Sequence, residues 1–225
     1  DSTVSANTTS GFSIVSYAGN STAGATIGHS LGVAPKMIIV KDRDGADSWV
    51  VYHNSLAITE YLILNSTSAA LTDNEVIFYD TDPTSSVFTV GAHNTVNQSG
   101  HNYIAYCFAE KQGYSKFGSY TGNGNADGTF VYTGFKPAFL MVKSTGSGGW
   151  LINDTKRSPH NITGLTLYAD SSASEESYTI GASEWDFLSN GFKNRDAGSA
   201  QNTSGTSYIY MAFAENPFVA SNFVP

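Results

Sequence analysis

Pro35-Lys36-Met37-Ile38-Ile39-Val40-Lys41 returns further along the chain as Pro137-Ala138-Phe139-Leu140-Met141-Val142-Lys143. Each copy is a proline, an unbroken apolar run and a closing lysine. A run without apolar/polar alternation predicts a strand covered on both faces, near the centre of a β-structure. Working outward, Tyr17-Ala18-Gly19-Asn20 returns as Tyr120-Thr121-Gly122-Asn123, and Trp49 answers to Trp150. Ser99-Gly100, Tyr103-Ile104 and Phe108-Ala109-Glu110 come back as Ser204-Gly205, Tyr208-Ile209 and Phe213-Ala214-Glu215. A word order repeated at a spacing of roughly 103 residues is the signature of an internal duplication. It also separates scaffold from site, because residues kept in both copies build the fold, whereas a reaction centre belongs to one copy.

Between the shared words lie short runs rich in β-branched and aromatic residues. In the first copy these are Phe12 to Tyr17, Met37 to Lys41, Trp49 to His53, Tyr61 to Leu64, Val76 to Tyr79, Val87 to Val90 and Tyr103 to Phe108. Turn words such as Gly45-Ala46-Asp47 and Asp82-Pro83-Thr84 follow too closely for a helix of ordinary length. The expected fold is therefore all-β, with two tandem homologous antiparallel β-sandwich repeats of jelly-roll-like type. Residues 1–10 read as a polar linker or arm, 11–112 as the first repeat, and 113–225 as the second with a C-terminal tail. The opening Asp1 suggests a processed chain or a piece of a longer one.

Composition narrows the function classes. The chain has 225 residues and a formal net charge of −8, with 13% charged residues, so no basic stripe is present to meet nucleic-acid phosphates. No apolar run approaches the ~20 residues of a membrane helix, and membrane insertion is not expected. Cys107 is the single cysteine, which excludes an intrachain disulfide and reads as a small core residue.

With the repeat laid out, the words Pro-x-apolar-apolar-x-Val-Lys, Trp, Ser189-Asn190-Gly191-Phe192 and Ser-Gly-x-x-Tyr-Ile-Ala-Tyr-Cys-Phe-Ala-Glu together resemble a β-repeat of tailed-bacteriophage structural proteins, notably marine ones. The resemblance covers nearly all of residues 11–219. It implies a non-enzymatic virion component of the tail-fibre, appendage or head-decoration type, without cofactor. Its implied partners are other virion proteins, further copies of itself and a host-surface glycan. The competing expectation is a lectin-like carbohydrate-binding module of a secreted bacterial protein, and a third is a glycoside hydrolase.

Candidate chemistry is sparse. A glycosidase needs two carboxylates about 5–9 Å apart across a sugar bond, and Asp80/Asp82, Glu175/Glu176 and Glu184/Asp186 are the acidic pairs. The five histidines lack zinc spacing, and no Gly-x-Ser-x-Gly elbow occurs. Asp42, Asp44 and Asp47 cluster on a glycine turn as calcium loops do, without a later bidentate glutamate, so they are at most a metal site and more simply a turn. Trp185, unmatched in the first copy and flanked by Glu184 and Asp186 in a loop with Gly181, is the best single aromatic candidate for a ligand contact, with burial in the core as the competing reading. Trp49 and Trp150 are expected in the core. Lys41 is expected to pair with Glu110, and Lys143 with Glu215, at the end of each sheet.

Overall fold

The abundance of β-branched and aromatic runs between Gly-, Asn- and Ser-rich turns folds the chain as antiparallel strands. The computed structural model describes residues 2–177, 184–197 and 201–215. The chain divides between Glu110 and Lys111 into two units.

Unit 1 contains β1 (Ser2–Asn7), β2 (Phe12–Ala18), β3 (Ala25–Gly28), β4 (Met37–Asp42), β5 (Val50–His53), β6 (Glu60–Ile63), β7 (Leu71–Thr72), β8 (Val87–Val90), the single turn of helix α1 (Asn94–Asn97) and β9 (Asn102–Phe108). Unit 2 contains β10 (Ser115–Thr121), β11 (Phe130–Tyr132), β12 (Pro137–Ser144), β13 (Trp150–Asp154), β14 (Leu165–Tyr168), β15 (Glu176–Ser177), β16 (Trp185–Leu188), β17 (Gly191–Asn194) and β18 (Ser207–Ala214).

The large sheet of unit 1 runs β1-β2-β9-β4-β5-β6-β7, and that of unit 2 runs β10-β18-β12-β13-β14-β15. With β1 set aside, the orders correspond strand for strand. A small sheet packs over each: β3-β8 in unit 1 and β11-β17-β16 in unit 2. Each core fills the space between the two layers. In unit 1 it joins Val15, Ile38, Val40, Val50 and Tyr103 of the large sheet to Ile27, Phe88 and Val90 of the small one. In unit 2 it joins Tyr120, Leu140, Val142 and Tyr208 to Val131, Trp185, Phe187 and Phe192. Met37, Ile38, Ile39 and Val40 are all buried, as their unalternating pattern predicts.

The other face of each large sheet is apolar too. Met37, Ile39, Val51 and Leu62 are buried in unit 1, as are Phe117, Met141, Trp150, Ile209 and Met211 in unit 2. Both repeated tryptophans belong to this face rather than to the space between the sheets. Trp150 is buried opposite Lys143, while Trp49 is half-buried and stacks on Tyr106 with ring centroids 6.4 Å apart.

At one end of each unit the shared words tie the same knot. Tyr17 stacks on Tyr103 at 5.2 Å and Tyr120 on Tyr208 at 5.0 Å, contacts worth about 0.5–1.5 kcal/mol beyond burial. Tyr17 Oη donates to Val96 O, and Tyr120 Oη to Gln201 O. A buried asparagine completes each knot. Asn97 Nδ2 donates to Thr22 O and Gly91 O while its Oδ1 accepts from Asn20 N. Asn202 Nδ2 donates to Asn125 O and Asp196 O while its Oδ1 accepts from Asn123 N. The approach is close enough to demand glycine: a Cβ on Gly19 would stand 2.2 Å from Gln98 O, and one on Gly122 2.4 Å from Thr203 O.

Two sequence expectations are corrected here. Residues 2–7 are no linker: Ser2–Asn7 pairs residue for residue with Phe12–Tyr17 as an edge strand. Its Ser/Thr/Asn side chains are exposed, so the backbone ladder holds it, and that carries no hydrophobic signature. Val76 to Tyr79 forms no strand. The buried Asp73 carboxylate accepts from the amides of Val76, Ile77 and Phe78, which consumes the donors a ladder would use.

Candidate functional site

The carboxylate turn after β4 is a folding device. Asp42 Oδ1 accepts from the amides of Asp44 and Gly45, while its Oδ2 meets His101 Nδ1 at 2.7 Å. Asp44 Oδ2 accepts from Asn102 N and Nδ2, and Asp47 Oδ1 from Thr95 Oγ1. Burial works to raise the Asp42 pKa, but the hydrogen bonds from His101 and the two amides outweigh it and hold the carboxyl below its ordinary value. The turn's carbonyls face a cation already supplied by the chain: Lys41 Nζ donates to Asp42 O and Gly45 O. The Asp42, Asp44 and Asp47 oxygens thus serve protein donors rather than converging as calcium ligands. Among the described residues no three His, Cys, Asp or Glu side chains gather as a metal site.

The matching lysine does the same work in unit 2, where Lys143 Nζ donates to Ser144 O and Gly146 O. Lys143 is fully buried, and burial pushes its pKa down to about 8 against the pull of Asp170. The expected lysine–glutamate pairs are therefore overturned. Antiparallel pairing sets Lys41 opposite Ile104 and Met37 opposite Phe108, so Glu110 lies beyond the far end of the strand, at least four residue rises or about 13 Å away. In unit 2 Lys143 faces Ile209, and Glu215 instead pairs with Lys156.

Trp185 is a core residue: it is fully buried at the start of β16, edge-on to Tyr120 and Phe192. Alternation along β16 directs Trp185 and Phe187 inward, and Asp186 to the opposite side. Glu184 is buried as well. Of the three residues expected at a ligand, Asp186 alone reaches the outer face, where Arg195 Nε lies 3.4 Å from its Oδ2. Gly181, with the rest of the expected loop up to Ser183, lies outside the described residues. The other acidic pairs are also engaged or divided, since Asp82 accepts from Tyr52 Oη and Glu175 pairs with Arg157. Cys107 is buried in the core, where desolvation pushes its thiol up to about 12 and makes it a poor nucleophile.

The outer face of the small sheet of unit 2 carries what the first copy lacks. Along β11 Val131 points into the core, which leaves Phe130 and Tyr132 44% and 65% exposed on the same side. Register places Phe130 beside Lys193 and Tyr132 beside Gly191. Gly191 seats the Phe130 ring, since a Cβ there would meet Phe130 Cε2 and Cζ at 3.0 Å. Charges border the rings: Lys193 pairs with Asp127, Arg195 Nη1 lies 3.9 Å from Asp127, and Arg195 also meets Asp186. Matching the cores through Phe88 and Phe192 sets Thr26 and Gly28 of unit 1 against Phe130 and Tyr132.

Beside these rings opens a cavity of about 680 Å³, with Phe135, Pro137, Pro159, Thr155, Lys156 and Glu215 among its walls, joined by Gly134, Lys136 and Ser189. Tyr132 stands at its rim, with its hydroxyl 3.5 Å from where a Gly134 Cβ would be. Lys156 holds Glu215 by hydrogen bond and charge, and Lys136 adds to the field, so the Glu215 carboxyl ionises more readily than usual. Thr155 Oγ1 is buried without a hydrogen-bond partner among the described residues. The words shared by the repeats concealed this region. Its signal was the alternating Phe130-Val131-Tyr132, legible by asking which aromatics of the second copy have no counterpart in the first.

A family model described as a domain of unknown function, DUF7483, matches residues 1–217 and so runs through both units. The chain belongs to the DUF7483 family. No curated protein and no solved structure matches it. For this DUF7483 chain, most residues common to both units serve the scaffold, while Phe130, Tyr132, Lys136 and Lys156 of unit 2 have no counterpart in unit 1 and add the exposed rings and the lysines of a cavity whose walls also include the shared Pro137, Ala214 and Glu215.

Proposed function

We propose that the DUF7483 chain is a non-enzymatic structural component of a bacteriophage particle, in a tail fibre, other appendage or head decoration, which associates with further copies of itself and meets the host surface. One observation carries the reading: the polar residues repeated between the units are taken up by the fold itself. The tyrosine–asparagine knots and the two repeated lysines, Lys41 and Lys143, each satisfy backbone groups of their own unit. The resemblance of the repeated words to phage β-repeats agrees with it. Gold-labelled antibody against the chain should decorate intact particles of the phage carrying the gene, and the purified protein should sediment as an oligomer. Unlabelled particles together with a monomer at micromolar concentration would sink the proposal.

A second reading, a carbohydrate-binding module of a secreted bacterial protein, is favoured by the exposed Phe130 and Tyr132 beside Asp127 and Asp186. Flat aromatic surface with adjoining acids suits sugar faces and hydroxyls.

A further inference from the structure

We infer that the Phe130–Tyr132 face and the cavity beside it form one binding site for an acidic saccharide. The site rests on the host-contact part of the reading above for its biological setting, whereas its chemistry stands on unit 2 alone.

Three features point to a sugar. First, Phe130 and Tyr132 stand two residues apart on one strand, about 7 Å along it, and present their rings to water. Exposed rings on a rigid strand cover the C–H face of a pyranose at little entropic cost. Second, the Lys193–Asp127 and Arg195–Asp186 pairs set donors and acceptors side by side along these rings. Vicinal hydroxyls, each both donor and acceptor, match such alternation. Third, the cavity of about 680 Å³ lies within the size range of small-ligand sites, and the Thr155 hydroxyl on its wall lacks a partner among the described residues. A protein partner fits less well. Two rings among charges make too small an apolar centre for an interface that buries about 800 Å² on each side.

Charge selects the class of sugar. The cavity holds two lysines, Lys136 and Lys156, against one glutamate, Glu215, so it is locally positive in a chain of net charge −8. Lys156 bonds to Glu215, which leaves the Lys136 ammonium as the charge available to a sugar carboxylate. The site also differs from unit 1 where it matters. The repeat sets Ala34 against Lys136, while the strand registers set Ser55 against Lys156 and Gly28 against Tyr132. A constellation in one copy alone is the mark of function rather than of scaffold.

Titration of the full chain with tetragalacturonate and with neutral cellotetraose tests the inference. The acidic oligosaccharide should bind at least tenfold more tightly, and the preference should shrink as salt is raised. Tyr132→Gly, which installs the unit 1 residue at an exposed position, should weaken tetragalacturonate at least tenfold, with a melting midpoint lowered by no more than the few degrees that glycine in a strand costs. Lys136→Ala combined with Lys156→Ser should bring acidic affinity down to the neutral level and leave cellotetraose binding as it was. Absence of binding at about 10 mM, equal affinity for both sugars, or indifference to Tyr132→Gly would overturn the site. Pull-down of a virion protein lost on Tyr132→Gly, without sugar binding, would reassign the face to a protein partner. The two proposals fail separately: sugar binding by a chain absent from particles sinks the virion reading, and a labelled particle component blind to both sugars sinks the site.

Discussion

The two units share a strand order and differ at their two ends. After the central strand, unit 1 has Asp42 bonded to His101, where unit 2 has Ser144, with Thr206 at the position of His101. On the small sheet the contrast is reversed, and unit 1 has Thr26 and Gly28 where unit 2 exposes Phe130 and Tyr132. The tyrosines and asparagines of the knots and the two lysines keep their chemistry in both units, whereas the buried Asp42, which also binds backbone amides, gives way to Ser144. Positions facing water have been free to diverge, so divergence in an otherwise matched pair of units is a guide to what each unit does.

The equivalence of the knots is where the largest effect is expected. Asn97→Leu and Asn202→Leu should each lower stability by about 2–3 kcal/mol, because one buried carbonyl, one part-buried carbonyl and one amide lose their partner. Urea unfolding followed by tryptophan fluorescence measures this. A large loss in one unit and a negligible loss in the other would break the comparison.

The buried lysine of unit 2 should come next. Its folded pKa of about 8 lies below that of an unfolded lysine, so between these values the unfolded chain holds the extra proton and stability rises with pH. From pH 8 to 10 this lysine adds about 2 kcal/mol, while the buried Cys107 thiol and the buried tyrosines, whose pKa values are raised, act in the opposite sense, so the stability of the wild type relative to Lys143→Met should rise by that amount. Chemical denaturation at a series of pH values decides the matter, and an identical slope in Lys143→Met would refute it.

Asp42 sharpens the comparison from the acid side. Its carboxyl is held below the ordinary value, so its contribution is complete above about pH 4 and is lost as pH falls through the folded pKa. Asp42→Ser, the unit 2 residue, should cost about 1–2 kcal/mol at pH 7 and flatten the acid limb of the stability curve. An unchanged acid limb would show that the pair with His101 adds nothing. The smallest effect belongs to the outer face, where Phe130→Thr should shift stability by less than about 0.5 kcal/mol and Tyr132→Gly by about 1 kcal/mol, the backbone cost of glycine in a strand. A larger cost would make these rings part of the packing and remove the reason to treat them as a ligand surface.

Much of the fold was legible because period and composition report burial directly. The run Met37 to Val40 announced a strand covered on both faces, whereas the repeated tyrosines were legible only as repeated words, and the knot they tie came from the structure. What escaped was carried by hydrogen bonds. The edge strand Ser2–Asn7 has polar side chains and is recognised by its ladder, and the loop around Asp73 imitates a strand in composition while its carboxylate takes the ladder's donors. Trp185 stood as a candidate contact because a lone aromatic beside two acids looks like a binding loop, and its burial follows from strand alternation, which sends the ring inward and Asp186 outward. The Lys41–Glu110 pairing failed for want of strand direction, which no count of residues supplies. At the site, Asp186 was legible, whereas Phe130 and Tyr132 needed a register between the copies that only the core phenylalanines Phe88 and Phe192 provide.

The asparagine at the centre of each knot has a consequence for chemical ageing. Loss of ammonia from Asn97 or Asn202 would replace a group that donates to two carbonyls with an oxygen that repels both. Folding keeps that carboxamide dry and engaged, and so guards it against the hydrolysis to which an opened chain is exposed. A unit that suffered this lesion while open could not close again as before, which ties the working lifetime of the protein to how seldom its knots come undone.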